Sequence, residues 1–134
     1  MSTITSPEQN KALVLKALDT LFNKRDYEAA GRFWSESYIQ HSPHIPQGRE
    51  GLFGFVRSFP NTLRYEHGPI VADGDYVMFH SRFSNFGTPR SLITMDIVRI
   101  ENGRIAEHWD VWENEANKAE SQSGSPMFGD RFPD

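Results

Sequence analysis

Cysteine is absent from the 134-residue chain. Its absence excludes disulfides, cysteine-ligated zinc, iron–sulfur clusters and thiol nucleophiles. Long apolar runs are missing as well, since no stretch approaches the roughly 18 apolar residues of a membrane-spanning helix. The N-terminal residues lack a basic region followed by an apolar one, so we expect no secretory signal. These absences predict a cytoplasmic protein that does not contact a membrane.

Positive charge is also scarce. Lys and Arg number 14 against 18 Asp and Glu, which gives a net charge of −4, and the basic residues are scattered along the chain. Nucleic-acid binders neutralise phosphates with clustered basic residues, so we expect no nucleic-acid partner. Glycine-rich phosphate loops and the Gly-x-Ser-x-Gly nucleophile motif are absent too. The groups left for chemistry are carboxylates, hydroxyls and five histidines.

The order of the periodic patterns predicts helices first and strands afterwards. Ser6, Pro7 and Gln9 form a helix-start pattern that precedes an apolar stripe with helical spacing. The apolar period later changes to two residues, and Asp73-Gly74 and Asn102-Gly103 are typical of hairpin turns. The predicted helices cover about residues 7–25, 26–34 and 49–59, and the predicted strands cover about 62–71, 76–85, 92–101 and 104–113, with a further extended segment at 38–41.

These elements predict an α+β fold. Three N-terminal helices would pack on a strongly curved, mostly antiparallel sheet, forming a cone with an internal pocket for a small apolar ligand. We expect a single domain over residues 1–113. Residues 114–134 are rich in Ser, Glu, Gly and Pro, and we expect them to form a tail that is partly disordered or embraces a partner subunit.

The last predicted hairpin indicates which side chains share a face of the sheet. A two-residue turn at Asn102-Gly103 would pair Ile100 with Ile105. Extended regularly, this register places two sets on opposite faces: Ile93, Met95, Ile97, Ala106, His108, Asp110 and Trp112 on one, and Leu92, Thr94, Asp96, Val98, Glu107, Trp109 and Val111 on the other.

Both of these faces are substantially apolar, whereas a sheet with one solvated face should alternate cleanly. One face must pack against the helices. A homodimer through the outer face of the sheet would explain the other, and partial exposure of that face is the alternative.

Asp110 is the leading candidate for a catalytic group. Its predicted face is rich in Ile, Met and Trp side chains, and such surroundings raise the pKa of a carboxyl group toward neutrality. A carboxylate with a raised pKa is a useful general base. His108, two residues earlier, would hydrogen-bond to Asp110 or share its pocket. The alternative is that both residues are solvated at the pocket rim.

The other histidines carry weaker signals. His41 precedes a proline loop of the kind that forms the lip of a pocket, and His80 lies on a strand, where a lone histidine is more often structural. His41 and His44 have the spacing of a metal pair, but Pro43 lies between them and no carboxylate nearby completes a ligand set. A metal site built from His41, His44, His80 and His108 is an alternative. We expect no metal and no cofactor.

Three segments resemble a known family. The stretch 95–110, from Met95-Asp96-Ile97 through Glu101-Asn102-Gly103-Arg104 to His108-Trp109-Asp110, is similar to the closing hairpin of SnoaL-like polyketide cyclases, which belong to the nuclear-transport-factor-2-like superfamily. Tyr38-Ile39-Gln40-His41-Ser42-Pro43 and Gly48-Arg49-Glu50-Gly51 are similar to the strand and loop and to the third-helix start of that family. The resemblance covers about residues 8–113. It implies a cone-shaped fold that is usually dimeric and cofactor-free acid–base chemistry in the pocket.

The resemblance also implies roles for individual residues. Asp110 matches the position of a pocket aspartate that acts as a base, His41 matches a polar pocket position, and His80 lies on a strand that supplies polar pocket groups. Asp96 matches a position that is polar in some cyclases, although the regular register puts it on the opposite face from Asp110 unless a β-bulge intervenes. The predicted catalytic residues are Asp110, His80, His108 and His41, and the predicted substrate-binding residues are Trp34, Tyr38, Met78, Met95, Asp96 and Trp112.

The predicted function is cofactor-free acid–base catalysis on a small apolar carbonyl compound. Asp110 would remove a proton from the carbon next to the carbonyl, and a histidine (His80, His41 or His108) would donate to the developing enolate oxygen. The outcome would be an aldol-type cyclisation or an isomerisation. The alternative is a non-catalytic dimer of the same fold that binds a small molecule in the same pocket.

Overall fold

A computed structural model describes residues 4–133, in which two helices and one strand precede the third helix and the other four strands. Residues 1–3, where the sequence predicts no secretory signal, and residue 134 lie outside the described residues. The helices are α1 (Pro7–Leu18), α2 (Tyr27–Ala30) and α3 (Gly48–Arg57). The strands are β1 (Trp34–Gln40), β2 (Arg64–Asp73), β3 (Tyr76–Ser84), β4 (Leu92–Glu101) and β5 (Arg104–Asn114).

The start of α1 is the predicted capping box. The Ser6 hydroxyl accepts a hydrogen bond from Gln9 N at 3.1 Å, and Gln9 Oε1 accepts from Ser6 N at 2.8 Å. The helix continues through a π-helical segment, Asp19–Asn23, and so ends about where the sequence predicts. Val14, Leu18 and Phe22 are buried on the side that faces the sheet.

The second helix is shorter than predicted. Asp26 caps it as expected, with its carboxylate accepting from Ala29 N at 3.0 Å, but it ends at Ala30. The prediction of helix as far as Trp34 is wrong, because Trp34 begins β1 and pairs with Ile105 of β5.

The five strands form one sheet in the order β1-β5-β4-β3-β2. The pairs β2–β3, β3–β4 and β4–β5 are antiparallel, and β1 runs parallel to β5. This confirms the predicted mostly antiparallel sheet. Helices α1 and α3 cover one face, which we call the concave face, and the opposite face is called the convex face.

The register of the β4–β5 hairpin contains one extra residue. Asn102 and Gly103 form the turn with φ of 53° and 71°, and Ile100 pairs with Ile105 as predicted. In a regular hairpin the next pair would be Arg99 with Ala106, but Arg99 pairs with Glu107 instead. Ala106 is therefore an extra residue in β5, which makes a β-bulge at this position. Beyond the bulge, every side chain of β5 faces the side opposite to that of a regular hairpin. The regular face assignment was therefore wrong.

The consequence of the bulge is that the two aspartates share a face. Asp96 of β4 lies directly opposite Asp110 of β5, and Val98 lies opposite His108. Because Asp96, Val98 and His108 are buried and line the cavity, this shared face is the concave one.

The segment after β5 packs against the convex face of its own chain. The Glu115 carboxylate is buried and accepts from Arg82 Nε of β3 at 2.9 Å. Phe128 is buried against Arg82 and His80, with its ring centroid 5.3 Å from that of His80. The predicted contact of this tail with a partner subunit stays a prediction. None of the helices in residues 4–133 combines the length and apolar character that crossing a bilayer requires.

Candidate functional site

The helices and the concave face of the sheet enclose a cavity of about 70 Å³. A buried water needs about 10–15 Å³, so the space holds a few waters. The walls are mostly apolar and aromatic. Their members include Leu18, Phe22, Trp34, Leu52, Phe55, Phe59, Phe79, Phe83, Phe86, Val98 and Trp112.

Exposure separates the mouth of the cavity from its deep end. Phe55, Phe59 and Phe86 are partly exposed and mark the mouth. Tyr38 and Thr94 are buried and belong to the deep end. Among the described lining residues none is Lys or Arg. The cavity therefore offers no lysine or arginine to hold an anionic ligand.

The deep end carries a continuous chain of hydrogen bonds. Thr94 Oγ1 donates to Asp96 Oδ2, and Asp96 Oδ1 lies 2.8 Å from His108 Nε2. His108 Nδ1 lies 2.7 Å from Gln40 Oε1, and Gln40 Nε2 donates to the Tyr38 hydroxyl at 2.9 Å. Strands β1, β4 and β5 each contribute to this chain, so it depends on the parallel β1–β5 pairing as well as on the bulge.

Asp110 lies beside this chain and is only half-buried. Burial raises the pKa of its carboxyl group, and the negative charge of Asp96 acts in the same direction. His108, the Ser42 hydroxyl and His44 act in the opposite direction without cancelling the increase. A carboxylate that is reachable from the cavity and has a raised pKa has the properties of a general base.

Two buried tyrosines near Asp96 and His108 remain protonated. Burial is the main cause that raises the pKa of Tyr38 and of Tyr65 well above the ordinary tyrosine value, and the charge of Asp96 adds to it. The Tyr65 hydroxyl hydrogen-bonds to Ser81 at 2.8 Å. The Tyr38 hydroxyl accepts from Gln40, which leaves its own proton available as a neutral donor.

Ser42 also belongs to this end of the site. Its side-chain oxygen is buried and has no hydrogen bond of ordinary geometry among residues 4–133, although the hydroxyl lies near enough to Asp110 to lower the pKa of that carboxyl group. A buried hydroxyl without a firm partner is able to bind a ligand or a water molecule.

The structure brings six of the ten predicted site residues to the cavity. Asp110 and His108, and the predicted substrate-binding residues Trp34, Tyr38, Asp96 and Trp112, all line it. The structure establishes where these residues lie, and the roles assigned to them stay predictions. For Asp96, the bulge that would bring it to the face of Asp110 is present.

The other four predicted site residues do not line the cavity. Met78, His80 and Met95 lie on the convex face, because they alternate along β3 and β4 with buried residues that face the cavity. The prediction that they lie in the pocket was wrong. For the residues of β3 the error does not come from the bulge, which lies in β5. In β3 the inward residues are Val77, Phe79 and Ser81, which alternate with Met78 and His80.

His41 also faces away from the cavity. Its Nε2 lies 2.7 Å from Glu107 Oε2, and its ring stacks on Trp109 with centroids 4.8 Å apart and planes 3° from parallel. Hydrogen bonds from His41 and from Arg99 lower the pKa of Glu107. The prediction that His41 lies in the pocket was wrong because successive strand residues alternate and Tyr38 and Gln40 take the inward positions.

The sequence interpretation missed three polar residues of the site. Gln40, Ser42 and Thr94 were not candidates, yet each contacts the polar chain or Asp110. A signal existed for Gln40, since it is two residues from Tyr38 and therefore shares its face. Thr94 likewise shares the face of Asp96.

Three donor groups lie near enough together for a metal ion. Ligand atoms of Asp96, His108 and Asp110 all fall within 4.8 Å of one another. However, His108 Nε2 and Asp96 Oδ1 already face each other at hydrogen-bond distance, and we interpret the group as an acid–base cluster. The four-histidine alternative is not assembled, because His41 and His80 lie on the convex face and His44 stacks on Trp112 at the cavity.

Residues 14–108 match the SnoaL-like domain family. This match spans most of the sequence, and the chain therefore belongs to that family. A comparison with curated proteins gave no match.

Solved structures from three bacteria share the fold. A candidate ketosteroid isomerase from Kribbella flavida is 23% identical, with a TM-score of 0.75 over 96% of this chain and 98% of that one. A candidate polyketide cyclase from Bacillus cereus is 19% identical, with a TM-score of 0.68 over 78% and 74%. IdmH, a candidate polyketide cyclase from Streptomyces antibioticus, is 20% identical, with a TM-score of 0.61 over 87% and 97%. At these identities the likeness establishes the fold and not the reaction.

Proposed function

We propose that the chain is a cofactor-free acid–base enzyme that acts on a small, neutral, apolar carbonyl compound. The observation that carries the proposal is the position of Asp110, which stands beside the Asp96–His108 pair in an otherwise apolar cavity. Membership of the SnoaL-like family, and the structural likeness to a candidate isomerase and candidate cyclases, support the same class of chemistry.

Asp110 is the proposed base. In its ionised form it takes a proton from the carbon next to the carbonyl, and the electron pair of the broken C–H bond moves to the carbonyl oxygen. The Tyr38 hydroxyl and the Asp96–His108 pair stabilise that oxygen by hydrogen bonding. In an isomerisation the proton held by Asp110 returns to a different carbon. In an aldol closure the enolate carbon attacks a second carbonyl of the same molecule, and the new alkoxide takes the proton that Asp110 removed.

The lining indicates the class of substrate. Aromatic walls favour a flat apolar molecule, and the lack of Lys and Arg among the described lining residues disfavours carboxylates and phosphates. The substrate is therefore proposed to be uncharged, with its carbonyl directed to the deep end.

A non-catalytic binding protein is the alternative, and the partners of the arginines argue against it. Had Arg82 or Arg99 formed an ion pair with Asp110, the carboxylate would not be available as a base. Arg82 instead binds Glu115, and Arg99 binds Glu107. Asp110 is thus left to the cavity.

Nitrobenzisoxazole distinguishes an enzyme from a binder without knowledge of the natural substrate. Its ring opens when a base removes the ring C–H proton and the N–O bond breaks, giving a nitrile and a coloured phenoxide. We expect saturable ring opening that falls about 10²–10⁴-fold in Asp110→Asn and is unchanged by a chelator. Glu113→Gln, a change at an exposed residue of the same strand, is the control. Binding of the probe with an equal rate in Asp110→Asn would favour the binding protein.

We also propose that two copies pair through the convex face. Six large apolar side chains there are exposed: Ile39, Val71, Tyr76, Met78, Met95 and Val111. Exposed apolar patches of this kind commonly mark interaction surfaces. A small-molecule pocket on the concave face would remain accessible in such a dimer.

A further inference from the structure

We infer that Gln40 is a positioning residue that holds His108 with a proton on Nδ1, so that the contact between His108 and Asp96 carries a mobile proton facing the cavity. The use of that proton in catalysis rests on the proposed function. The location of the proton follows from the hydrogen-bond geometry and is tested separately.

The first step is the orientation of the Gln40 amide. The backbone N–H of Ser42 can only donate, and it lies 3.0 Å from Gln40 Oε1, so this atom must be the carbonyl oxygen. The other end of the amide agrees, because Nε2 donates to the Tyr38 hydroxyl at 2.9 Å. One orientation therefore satisfies both contacts.

The second step is the protonation of His108 Nδ1. This nitrogen lies 2.7 Å from Gln40 Oε1. A carbonyl oxygen only accepts, so the hydrogen of this bond must belong to Nδ1. Gln40 thereby selects the ring form, in the way that the partner of one histidine nitrogen commonly determines the state of the other.

The third step is the proton between His108 and Asp96. A neutral imidazole with its hydrogen on Nδ1 presents a lone pair at Nε2, and a carboxylate oxygen also presents a lone pair. These two atoms lie 2.8 Å apart, which is a hydrogen-bond distance. One proton must therefore lie between them, as imidazolium with carboxylate or as imidazole with carboxylic acid. Asp96 Oδ2 is already occupied by the Thr94 hydroxyl.

The surroundings favour keeping this proton. The Asp110 carboxylate on β5 contributes negative charge near the pair, and the phenols of Tyr38 on β1 and Tyr65 on β2 stay neutral. His44 lies at the loop after β1 and acts electrostatically on Asp110. The helical residues that line the cavity are apolar.

Two carboxyl groups in one cavity thus have different tasks. Asp110 is free to accept the proton from the substrate carbon. The Asp96–His108 pair holds a proton that it shares with, or transfers to, the substrate oxygen as negative charge develops there. The same proton returns to the pair when the carbonyl re-forms, so the cycle is balanced without a cofactor.

The ring nitrogens of His108 test the inference directly. The protein is labelled with ¹⁵N-histidine, and long-range ¹H–¹⁵N NMR spectra report which nitrogens carry hydrogen. The His108→Gln variant identifies the signals by their loss. We expect Nδ1 to be protonated at neutral pH. A neutral ring with its hydrogen on Nε2 and a bare Nδ1 would overturn the inference, whatever the enzyme activity.

Variants of Gln40 test the positioning role. Gln40→Leu removes the acceptor, so His108 is free to carry its hydrogen on Nε2, and the pair no longer needs the additional proton. We expect an Nδ1 without hydrogen to appear in the spectrum. The rate of catalysis should fall at high pH where the pair loses its proton, and we expect this alkaline limb of the pH–rate profile to move to lower pH in Gln40→Leu. Gln40→Glu retains an acceptor for Nδ1 and should restore the spectrum and the limb.

The kinetic probe for these variants is β-tetralone, a neutral bicyclic ketone, whose exchange of α-hydrogen for deuterium in D₂O is followed by NMR. We expect Gln40→Leu to lower kcat about tenfold or more with little change in KM. Gln47→Leu is the control for loosening of the loop, because Gln47 hydrogen-bonds to the Gln40 backbone and not to His108. An alkaline limb that shifts equally in Gln47→Leu would overturn the positioning role. If Nδ1 is protonated but no variant, including wild type, exchanges the probe, the proposed function fails and the proton placement stands.

Discussion

His108 Nε2 and Asp96 Oδ1 lie 2.8 Å apart, although a regular hairpin would put these side chains on opposite faces of the sheet. The extra residue at Ala106 turns His108 and Asp110 toward the concave face, where Asp96 already lies. The acid–base cluster thus depends on one β-bulge, and it stands in a cavity whose described lining has no Lys or Arg.

The raised pKa of Asp110 predicts the acidic limb of the pH–rate profile. The base is active when ionised, so the rate of nitrobenzisoxazole opening should rise with pH through the pKa of Asp110. Since burial raises this pKa, the midpoint should lie above 3.8, the ordinary aspartate value. A midpoint at or below that value would contradict the buried base. The Glu113→Gln control should keep the wild-type midpoint.

The same shift predicts that Asp110 lowers stability at neutral pH. The folded state holds the Asp110 proton more tightly than the unfolded chain does, so ionising this group disfavours folding. The effect is absent below the unfolded pKa, grows as pH rises from the unfolded pKa to the folded one, and is constant above the folded pKa. Asp110→Asn should therefore be more stable than wild type in urea unfolding at pH 7, with the difference disappearing below pH 3.8. A variant that is less stable at pH 7 would contradict this account.

The ion pair between Arg82 and Glu115 should anchor the segment after β5. Glu115 is almost fully buried, so Arg82→Ala leaves a buried carboxylate without its partner. Removal of one member of such a pair costs about 3–5 kcal/mol, and we expect the free energy of unfolding in urea to fall accordingly. Arg90→Ala, whose partner Glu120 is exposed, is the matched control and should change stability little. Equal effects of the two variants would show that burial of Glu115 is unimportant.

The convex face should mediate self-association. Met95 and Val111 are paired neighbours there and are 43% and 72% exposed. Met95→Lys places a charge in the proposed interface and should convert a dimer into a monomer in analytical ultracentrifugation. Asn61→Lys adds the same charge at an exposed turn and should leave the dimer intact. A wild-type protein that is monomeric at high micromolar concentration would refute the proposal.

The fold was largely predictable because its signals are local. The capping box at Ser6, the change from helical to two-residue periodicity and the Asn102-Gly103 turn each lie within a few residues of sequence. The bulge has no such signal, since Ala106 fits a regular strand equally well. The face of Asp110 was therefore not determined by the turn, and only the pairing of Arg99 with Glu107 reveals it.

The errors at His41 and His80 have another cause. Both were chosen for the chemistry of the side chain, whereas strand alternation controls which side chains face inward. Alternation from Tyr38 places Gln40 inward and His41 outward, as observed. The role of Gln40 depends on a contact with His108, 68 positions away, which no local pattern encodes.

Deuterium exchange of β-tetralone in D₂O tests the central claim most directly, because it follows the removal of a proton from the carbon next to a carbonyl. The account predicts that wild-type protein accelerates the exchange with saturation kinetics. It also predicts that Asp110→Asn exchanges the probe about 10²–10⁴-fold more slowly while its circular dichroism spectrum shows that the fold is kept. Glu113→Gln should exchange at the wild-type rate. Equal exchange rates in wild type and Asp110→Asn would contradict the assignment of Asp110 as the base.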